Sequence, residues 1–326
     1  MMLNKLSNYI IPFLFIALLF SGGCAASEEK ITVSLDWTPN TNHTGLYAAI
    51  HQGYYEEEGL NVEIIQPPEG TAETVVAADQ AQFGVGYQES VTFARLEDMP
   101  IVSVATVIQH NTSGFASVKE KGIASPEDFE GKRYGGWGSP VEKATLKALM
   151  NKYDAEVEKV EIITSGDMDF FAASEKDIDF AWIFEGWTGI EARIRGIELN
   201  YIDLGQENEA LDYYTPVIIT NEKNINENPD IVRAFMRATT KGYEYSIENP
   251  EAAAEILLEN APELDRTLVI ESQKYLSDKY QAEAEQWGIQ KEEVWQNYTD
   301  WLFENDLIEI KIDVKSAFTN EFIPEK

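Results

Sequence analysis

Four short segments of the chain concentrate the aromatic, amide and glycine residues that hold flat heterocycles. They are residues 36–45 (DWTPNTNHTG), 84–90 (GVGYQES), 135–142 (GGWGSPVE) and 181–187 (AWIFEGW). Planar rings stack on indole and phenol side chains, and amide or carboxyl groups can bind the polar edge of such a ring. Anion sites usually need Arg or Lys, and Lys143 is the nearest cation. The segments therefore favour a planar nitrogen heterocycle over a sulfonate, phosphate or nitrate.

The first segment offers an indole at Trp37, an amide at Asn40 and an imidazole at His43, directly before a helix start. All three are candidate ligand-binding residues. Packing is the alternative for Trp37, and hydrogen bonding at the helix entry is the alternative for His43. The loop as a whole is more informative than either residue alone.

In the second segment, Tyr87 and Glu89 are the candidates. The Tyr87 ring follows a strand flanked by glycines and could close over a ligand. The neighbouring Ser90 has a structural alternative, because serine often caps a helix.

The third segment predicts a helix start, with Ser139 as N-cap, Pro140 as the first helical residue and Glu142 as the capping-box partner. This does not account for the glycines around Trp137. Glycine permits close approach of a ligand to the backbone, and free helix N–H groups could receive a polar or anionic group. Trp137, Gly138 and Ser139 are therefore also candidates.

The fourth segment places Trp182 and Glu185 at the end of an apolar run. A buried carboxylate must be paired or hydrogen-bonded, because leaving it unpaired costs several kcal/mol. An amino-substituted heterocycle could supply the donors; alternatively, Glu185 faces solvent at the edge of its lobe. Tyr213 and Tyr214 complete the set of candidate aromatic residues.

The elements that must position these loops alternate between strands and helices. Strands are predicted at 31–35, 62–65, 82–86, 101–108, 132–135, 160–164, 178–184, 199–204 and 217–220, and helices at 44–52, 71–79, 140–153, 167–174, 188–195 and beyond 229. Such alternation favours parallel sheets with helices on both faces, in which ligands bind beyond the carboxyl ends of the strands.

Two such series predict an α/β protein of two lobes, each with a doubly wound sheet. We expect lobe 1 to comprise residues 25–117 and 218–326, and lobe 2 to comprise 118–217. Crossings near 114–118 and 214–220 would join the lobes as a two-strand hinge.

The overall composition excludes several classes of function. Asp and Glu number 57 against 25 Lys and Arg, a net charge of −32 that opposes binding to nucleic acid or anionic lipid. Cys24 is the single cysteine, and the histidines His43, His51 and His110 include no pair at metal-ligand spacing. We therefore expect no disulfide, no metal and no cofactor.

Residues 1–24 are predicted to be a signal peptide. An apolar stretch at 10–20 is too short to cross a bilayer comfortably, and the small residues 21–23 precede Cys24. This resembles the bacterial lipoprotein cleavage box, although Ser21 stands where a leucine is usual. We expect Cys24 to be lipidated and to anchor the protein on the extracytoplasmic face of the cell membrane. A plain secretory signal with an incidental cysteine is the alternative.

Longer stretches around the candidate loops resemble the thiamine-precursor branch of the solute-binding proteins, and also the fungal thiamine-pyrimidine synthases of the same fold. The resemblance rests on residues 36–60 (DWTPNTNHTGLYAAIHQGYYEEEGL), 131–149 (GKRYGGWGSPVEKATLKAL), the AWIFEGW segment and 228–251 (NPDIVRAFMRATTKGYEYSIENPE). It extends over roughly residues 30–320. It implies a type II periplasmic-binding-protein fold.

For function, the resemblance implies a monomeric binding protein that delivers formylaminopyrimidine to an ABC permease and its ATPase in thiamine salvage. An aminopyrimidine would stack between aromatic side chains drawn from Trp37, Tyr87, Trp182 and Tyr213 or Tyr214. Glu185 or Asn40 would bind its ring nitrogens and amino group. Hydroxymethylpyrimidine, riboflavin and a sulfonate remain alternative ligands.

A pyrimidine-modifying enzyme is the alternative from another class. The related synthases use a lysine, a histidine and a run of cysteines. His43 matches the histidine, but Pro39 stands at the lysine position and residues 211–214 (LDYY) replace the cysteine run. Gly138–Val141 aligns with the phosphate-contacting loop, with Ser139 and Pro140 differing. We therefore expect no catalytic residues.

Overall fold

The computed structural model describes residues 29–66, 71–164, 166 and 169–325. The predicted signal peptide and Cys24 lie outside the described residues. So does the start of the helix predicted at 167–174.

The described part of the chain forms two five-stranded sheets. The first contains β1 (Glu29–Ser34), β2 (Leu60–Ile65), β3 (Phe83–Gly86), β4 (Ile101–Thr106) and β10 (Val217–Asn221). The second contains β5 (Ser113–Val118), β6 (Arg133–Gly136), β7 (Glu161–Thr164), β8 (Phe180–Phe184) and β9 (Leu199–Asp203). The strand orders are β2-β1-β3-β10-β4 and β7-β6-β8-β5-β9.

Neither sheet is wholly parallel, and this corrects the prediction from the sequence. β10 pairs antiparallel with β3 and β4, and β5 pairs antiparallel with β8 and β9. Both strands arrive from the other lobe. They enter their sheet at the edge where the parallel strands end, so they run in the opposite direction.

The chain passes between the sheets at residues 107–112 and again at 204–216. β5 lies in the second sheet, so the first crossing precedes the one predicted near 114–118. The two crossings touch, since the Val107 N–H donates to Pro216 O at 2.9 Å and Asn111 Nδ2 donates to Leu211 O at 2.8 Å. The lobe limits given above stay a prediction.

Thirteen α-helices flank the sheets in the described residues. Their bounds are α1 Thr44–His51, α2 Tyr54–Glu57, α3 Ala72–Ala77, α4 Gln88–Leu96, α5 Pro140–Asn151, α6 Phe170–Lys176, α7 Ile190–Arg195, α8 Leu204–Glu207, α9 Glu222–Glu227, α10 Pro229–Glu248, α11 Pro250–Asn260, α12 Arg266–Tyr280 and α13 Glu292–Glu304. A 3-10 turn (Thr41–His43) precedes α1, and a π-helical turn (Glu185–Gly189) precedes α7. None of these helices is long and apolar enough to cross a membrane.

Local sequence signals account for several of these boundaries. The capping box predicted for α5 is confirmed, with the Ser139 side chain accepting from the helix backbone and Glu142 reaching back to the N-cap. Gly53 follows α1 with φ of +74°, in the left-handed region that glycine adopts readily. Proline occupies the first helical position of α10 and α11.

Close packing of α1 on α10 fixes the loop that precedes α1. A Cβ on Gly242 would lie 2.0 Å from the carbonyl oxygen of Gly45, and a Cβ on Gly45 would overlap the Tyr243 ring. The Tyr243 hydroxyl donates to Asn42 O at 2.7 Å, and the Tyr280 hydroxyl donates to Thr41 O. Hydrogen bonds from the hydroxyls of two buried tyrosines therefore fix the backbone of the first candidate loop.

We expect Gly242→Ala to destabilise the protein by about 1–3 kcal/mol through overpacking. This would occur although alanine favours a helix by about 1 kcal/mol over glycine. Chemical denaturation measures the loss, with Lys241→Ala, an exposed position of the same helix, as the control. A Gly242→Ala protein as stable as wild type would contradict the close helix contact.

Candidate functional site

Each sheet has one switch point, where the chain leaves two neighbouring strands in opposite directions. Ligands bind at such switch points in α/β folds. In the first sheet the chain leaves β1 toward β2 and leaves β3 toward β4, so the point lies between β1 and β3. In the second sheet the corresponding strands are β6 and β8. The four loops that follow these strands are the four segments chosen from the sequence.

In the first lobe, a buried carboxylate ties the two loops together. Asp36 Oδ1 lies 2.6 Å from His43 Nε2, and Asp36 Oδ2 accepts from the Tyr87 hydroxyl. The Asn40 N–H donates to His43 Nδ1 at 3.2 Å, which assigns the His43 proton to Nε2. Burial alone would raise the pKa of Asp36, but His43 and the hydrogen bonds from His43 and Tyr87 hold that pKa below its ordinary value.

Asn40 has a structural role in the same loop. Its side-chain oxygen accepts from the Asn42 N–H at 2.9 Å, and its Nδ2 donates to Thr38 O at 3.0 Å. It thereby caps the 3-10 turn before α1. Trp37 instead extends outward, with 42% of its surface exposed. Exposed indoles can stack on planar rings.

In the second lobe, the glycine-rich loop after β6 encloses a carboxylate of its own chain. Glu142 accepts from the N–H groups of Trp137 at 3.1 Å, Gly138 at 2.7 Å and Ser139 at 2.7 Å. The Tyr134 hydroxyl donates to it at 2.7 Å, and only 3% of Glu142 is exposed. The loop amides that could have received an anion are already occupied.

The glycines of this loop make room for that carboxylate. A Cβ on Gly136 would lie 2.3 Å from Glu142 Oε1, and Gly138 has φ of +98°. Trp137 is 48% exposed, and its ring centroid lies 5.4 Å from that of the buried Trp182. The loop therefore presents an indole rather than free amides.

The last loop follows β8 as a π-helical turn, a form that is frequent at functional sites. Glu185 forms an ion pair with Arg193, whose guanidinium lies 5.7 Å from the centre of the Tyr275 ring. The Glu185 side chain is 20% exposed and that of Arg193 is 55% exposed. Glu185, the carboxylate predicted to bind the ligand, thus has a cationic partner within its own lobe.

Between the loops lies a cavity of about 20 Å³, room for about one water molecule. Its walls come from both lobes and both crossings and include Asn40, Thr41, Thr112, Phe184, Gly186 and Thr215. Ser272 bridges the lobes, since its hydroxyl donates to Gly186 O and lies 2.6 Å from Thr41 Oγ1. An aromatic ring can enter only if the lobes or their side chains move apart.

Glu89, Tyr213 and Tyr214 are not among the residues that line the cavity. Glu89 Oε2 is buried and has no hydrogen-bond partner. Tyr213 packs against Tyr298, with ring centroids 4.5 Å apart, whereas the Tyr214 hydroxyl accepts from the Lys291 N–H at 2.9 Å. The two neighbouring tyrosines thus point into different cores, and their role in ligand binding stays a prediction.

Sequence reasoning missed most of the cavity wall. Of the candidates chosen, Asn40 lines the cavity, whereas Thr112 and Thr215 were not considered. Both belong to the crossings, and no local pattern marks such threonines before the topology is known. A larger groove of about 640 Å³ runs along β7 and α6, at the far edge of the second sheet, and contains none of the candidates.

Asp36→Asn should lower the free energy of unfolding at about pH 7 by about 1.5–3 kcal/mol, since hydrogen bonds to a charged acceptor are lost. The native pKa lies below the ordinary 3.8. This stabilisation is therefore complete above that value and disappears as pH falls through the native pKa. Urea denaturation in steps from about pH 7 to below 3.8 tests both statements, with the fully exposed Asp230→Asn as control. A loss that does not diminish as the pH falls below 3.8 would contradict the assignment.

Comparison with known proteins identifies relatives along nearly the whole chain. The formylaminopyrimidine-binding protein of Halalkalibacterium halodurans is 31% identical, over 97% of this chain and 99% of its own. The riboflavin-binding protein RibY of Chloroflexus aurantiacus is 26% identical, over 91% of this chain and 86% of its own. A 4-amino-5-hydroxymethyl-2-methylpyrimidine phosphate synthase of Legionella pneumophila is 24% identical, over 91% of this chain and 93% of its own.

Solved structures share the fold. The alkanesulfonate-binding protein SsuA of Xanthomonas axonopodis pv. citri matches with a TM-score of 0.69 at 12% identity, over 90% of this chain and 99% of that one. A Candida albicans protein with the generic periplasmic binding protein fold matches with a TM-score of 0.63 at 16% identity, over 89% of this chain and 96% of that one. The predicted two-lobed periplasmic-binding-protein fold is confirmed.

The model of the family described as "NMT1/THI5 like" matches residues 40–253, which include all four candidate loops except the first residues of the first. Together with the relative that is 31% identical over 97% of the chain, this match establishes that the protein belongs to the NMT1/THI5-like family.

Proposed function

We propose that the protein is an extracytoplasmic solute-binding protein that captures formylaminopyrimidine, a precursor of the thiamine pyrimidine, for an ABC importer. The observation that carries the proposal is the meeting of two switch points across one cleft. Asp36 and Tyr87 mark the point in the first lobe, and Trp137 and Glu185 mark it in the second. A ligand held by both lobes shifts them toward closure, because it binds the closed state better.

The side chains around the cleft suit a flat ring with a polar edge. Trp37 and Trp137 are 42% and 48% exposed although both are large and apolar. An exposed indole can stack on a ligand ring. Glu185 offers carboxylate oxygens that can accept from an amino group.

The glycine-rich loop after β6, whose backbone N–H groups already bind Glu142, favours a ligand without a phosphate. Glu142 occupies the N–H groups of Trp137, Gly138 and Ser139. A phosphate at this loop would have to displace a buried carboxylate or lie beside it, and like charges repel. Arg193, the nearby cation, is paired with Glu185. These contacts support a neutral pyrimidine rather than its phosphate ester or a sulfonate.

The same contacts argue against an enzyme. Both ring nitrogens of His43 are engaged, one by Asp36 and one by the Asn40 N–H, so the imidazole has no free site for proton transfer. Pro39 replaces the lysine of the related synthases, and residues 211–214 carry no cysteine. We therefore propose binding without a reaction, and no cofactor.

Delivery to a permease would require the protein to stay near the membrane. We propose that residues 1–24 contain an export signal that is cleaved before Cys24, and that lipidated Cys24 anchors the protein outside the cytoplasmic membrane. Lipid chains contribute about 0.8 kcal/mol per buried CH₂, so more than one chain is needed for firm anchoring. The lobes, proposed at 25–117 with 218–326 and at 118–217, would close on the ligand as a monomer.

Calorimetric titration of the protein without its leader tests the proposed ligand. Formylaminopyrimidine should bind tightly, hydroxymethylpyrimidine more weakly, and the phosphate ester of hydroxymethylpyrimidine, riboflavin and taurine not measurably. The bound ligand should be recovered unchanged after prolonged incubation. Tight binding of riboflavin or taurine, or conversion of the pyrimidine, would refute the proposal.

Glu185→Gln should weaken pyrimidine binding by about 1.5–3 kcal/mol, because a charge-assisted hydrogen bond to the amino group is lost. The matched control is Glu191→Gln, which breaks the ion pair of Glu191 with Arg195 in the same helix. The control should bind like wild type in the same titration. Unchanged affinity of the Glu185 variant would remove this residue from the site.

A further inference from the structure

Glu89 is a half-buried residue in the first turn of α4, and its carboxyl group accepts a hydrogen bond from its own backbone N–H. Its Oε2 is buried and accepts no hydrogen bond. Two residues earlier, the Tyr87 hydroxyl binds Asp36 in the first-lobe loop. One residue earlier, Gln88 exchanges hydrogen bonds with Tyr214, at 3.0 and 2.9 Å, next to the cavity residue Thr215. Glu89 therefore lies between the ligand loop and the crossing that leads to the cleft.

The surroundings of Glu89 disfavour a negative charge. Burial, and then the neighbouring Glu73, raise the pKa of Glu89 to about 8. The titratable groups that face it are Glu73 on α3, Tyr87 in its own loop, Tyr213 in the crossing and Tyr298 on α13. None is a cation. At neutral pH the group is a carboxylic acid, which has a hydroxyl to donate.

Several donors on the first-lobe side of the cleft are already engaged. The His43 Nε2–H faces Asp36, Asn40 Nδ2 donates to Thr38 O, and the Tyr87 hydroxyl donates to Asp36. Thr215, whose Oγ1 has no partner, and the Glu89 carboxyl are exceptions. A pyrimidine nitrogen is an acceptor only, so it needs a donor from the protein when it leaves water.

We propose that Glu89 binds the ligand as a neutral carboxylic acid and donates its hydroxyl to a ring nitrogen of the aminopyrimidine. This rests on the proposed function. The two glutamates then have different tasks: Glu185, beside Arg193, is the charged acceptor for the amino group, and Glu89 is the neutral donor. The amino group of the ring then donates to Glu185, and the ring nitrogen accepts from Glu89.

The proposal predicts an alkaline limit to binding. Ionised Glu89 has no hydrogen to donate, and its charge repels the lone pair of the ring nitrogen. With a pKa of about 8 in the free protein, the dissociation constant should be constant below about pH 7 and rise about tenfold per pH unit above that pKa. The tyrosines around Glu89 do not interfere, because burial raises their pKa values well above 10.

The test is a series of calorimetric titrations with formylaminopyrimidine from about pH 6.5 to about pH 9.5. Glu89→Gln keeps a donor and an acceptor in place, so its affinity at about pH 7 should stay within about threefold of wild type and should no longer fall at high pH. Glu89→Leu should lose at least about tenfold at every pH. His110→Gln is the control, because hydrogen bonds from His110 to Asp212 and then to Glu283 hold the pKa of His110 at about 9. It should retain the alkaline fall.

Folding of the variants is checked by thermal unfolding of the free proteins. A carboxyl whose native pKa is raised costs stability above its unfolded pKa, so Glu89→Gln should melt at or above the wild-type temperature at about pH 7. An affinity of wild type that does not change across the pH range would overturn the proposal. So would an affinity of Glu89→Gln that falls as far as that of Glu89→Leu, or an alkaline fall that disappears in His110→Gln and persists in Glu89→Gln.

These outcomes are separate from failure of the proposed function. If the protein binds no pyrimidine at any pH, the function itself is wrong. If it binds formylaminopyrimidine with an affinity that is independent of pH, the function stands and the role of Glu89 is wrong.

Discussion

The cleft depends on a buried carboxylate in the first lobe. Asp36 follows the first strand and accepts from His43 and Tyr87, so one charge joins the two loops of the first switch point. The charge is tolerated in an apolar surrounding because both of its oxygens have donors. These hydrogen bonds hold the polar groups of the two loops in fixed positions. Such an arrangement is compatible with the proposed binding of a ligand without a reaction. The second lobe repeats this arrangement, with Glu142 enclosed by three backbone amides and a phenol.

Much of the architecture could be predicted from the sequence, because it is recorded in local patterns. Alternating apolar residues mark β1, and the run Ser139-Pro140 with Glu142 marks the start of α5. The direction of β5 and β10 could not be predicted, since an antiparallel strand that arrives from another lobe has the same composition as a parallel one. The position of the first crossing was misplaced for the same reason. The α1–α10 contact is equally invisible, because Gly45 and Gly242 are far apart in the chain and only the fold brings them together.

The candidate loops were identifiable because their aromatic and glycine residues follow predicted strands, and the topology places all four at switch points. What each residue does in them was less predictable. Glu142 was predicted to be a capping residue, and the structure adds that it fills an anion-binding loop. The His43 imidazole was a candidate for ligand contact but is committed to Asp36 and Asn40. Such hydrogen-bond partners lie on separate elements, so only three-dimensional structure reveals which donors remain free for a ligand.

The most direct test is a crystal structure of the protein grown with formylaminopyrimidine. We expect electron density for one pyrimidine ring between the loop of Trp37 and the C-terminal part of β8 with its following turn, which carry Trp182 and Glu185. The ring edge should face carboxyl groups of both lobes. The cleft, now a cavity of about 20 Å³, should be wider around the ring. Density for the ring in the groove along β7 and α6, or a cleft that stays unchanged with no ring at a saturating concentration, would contradict it.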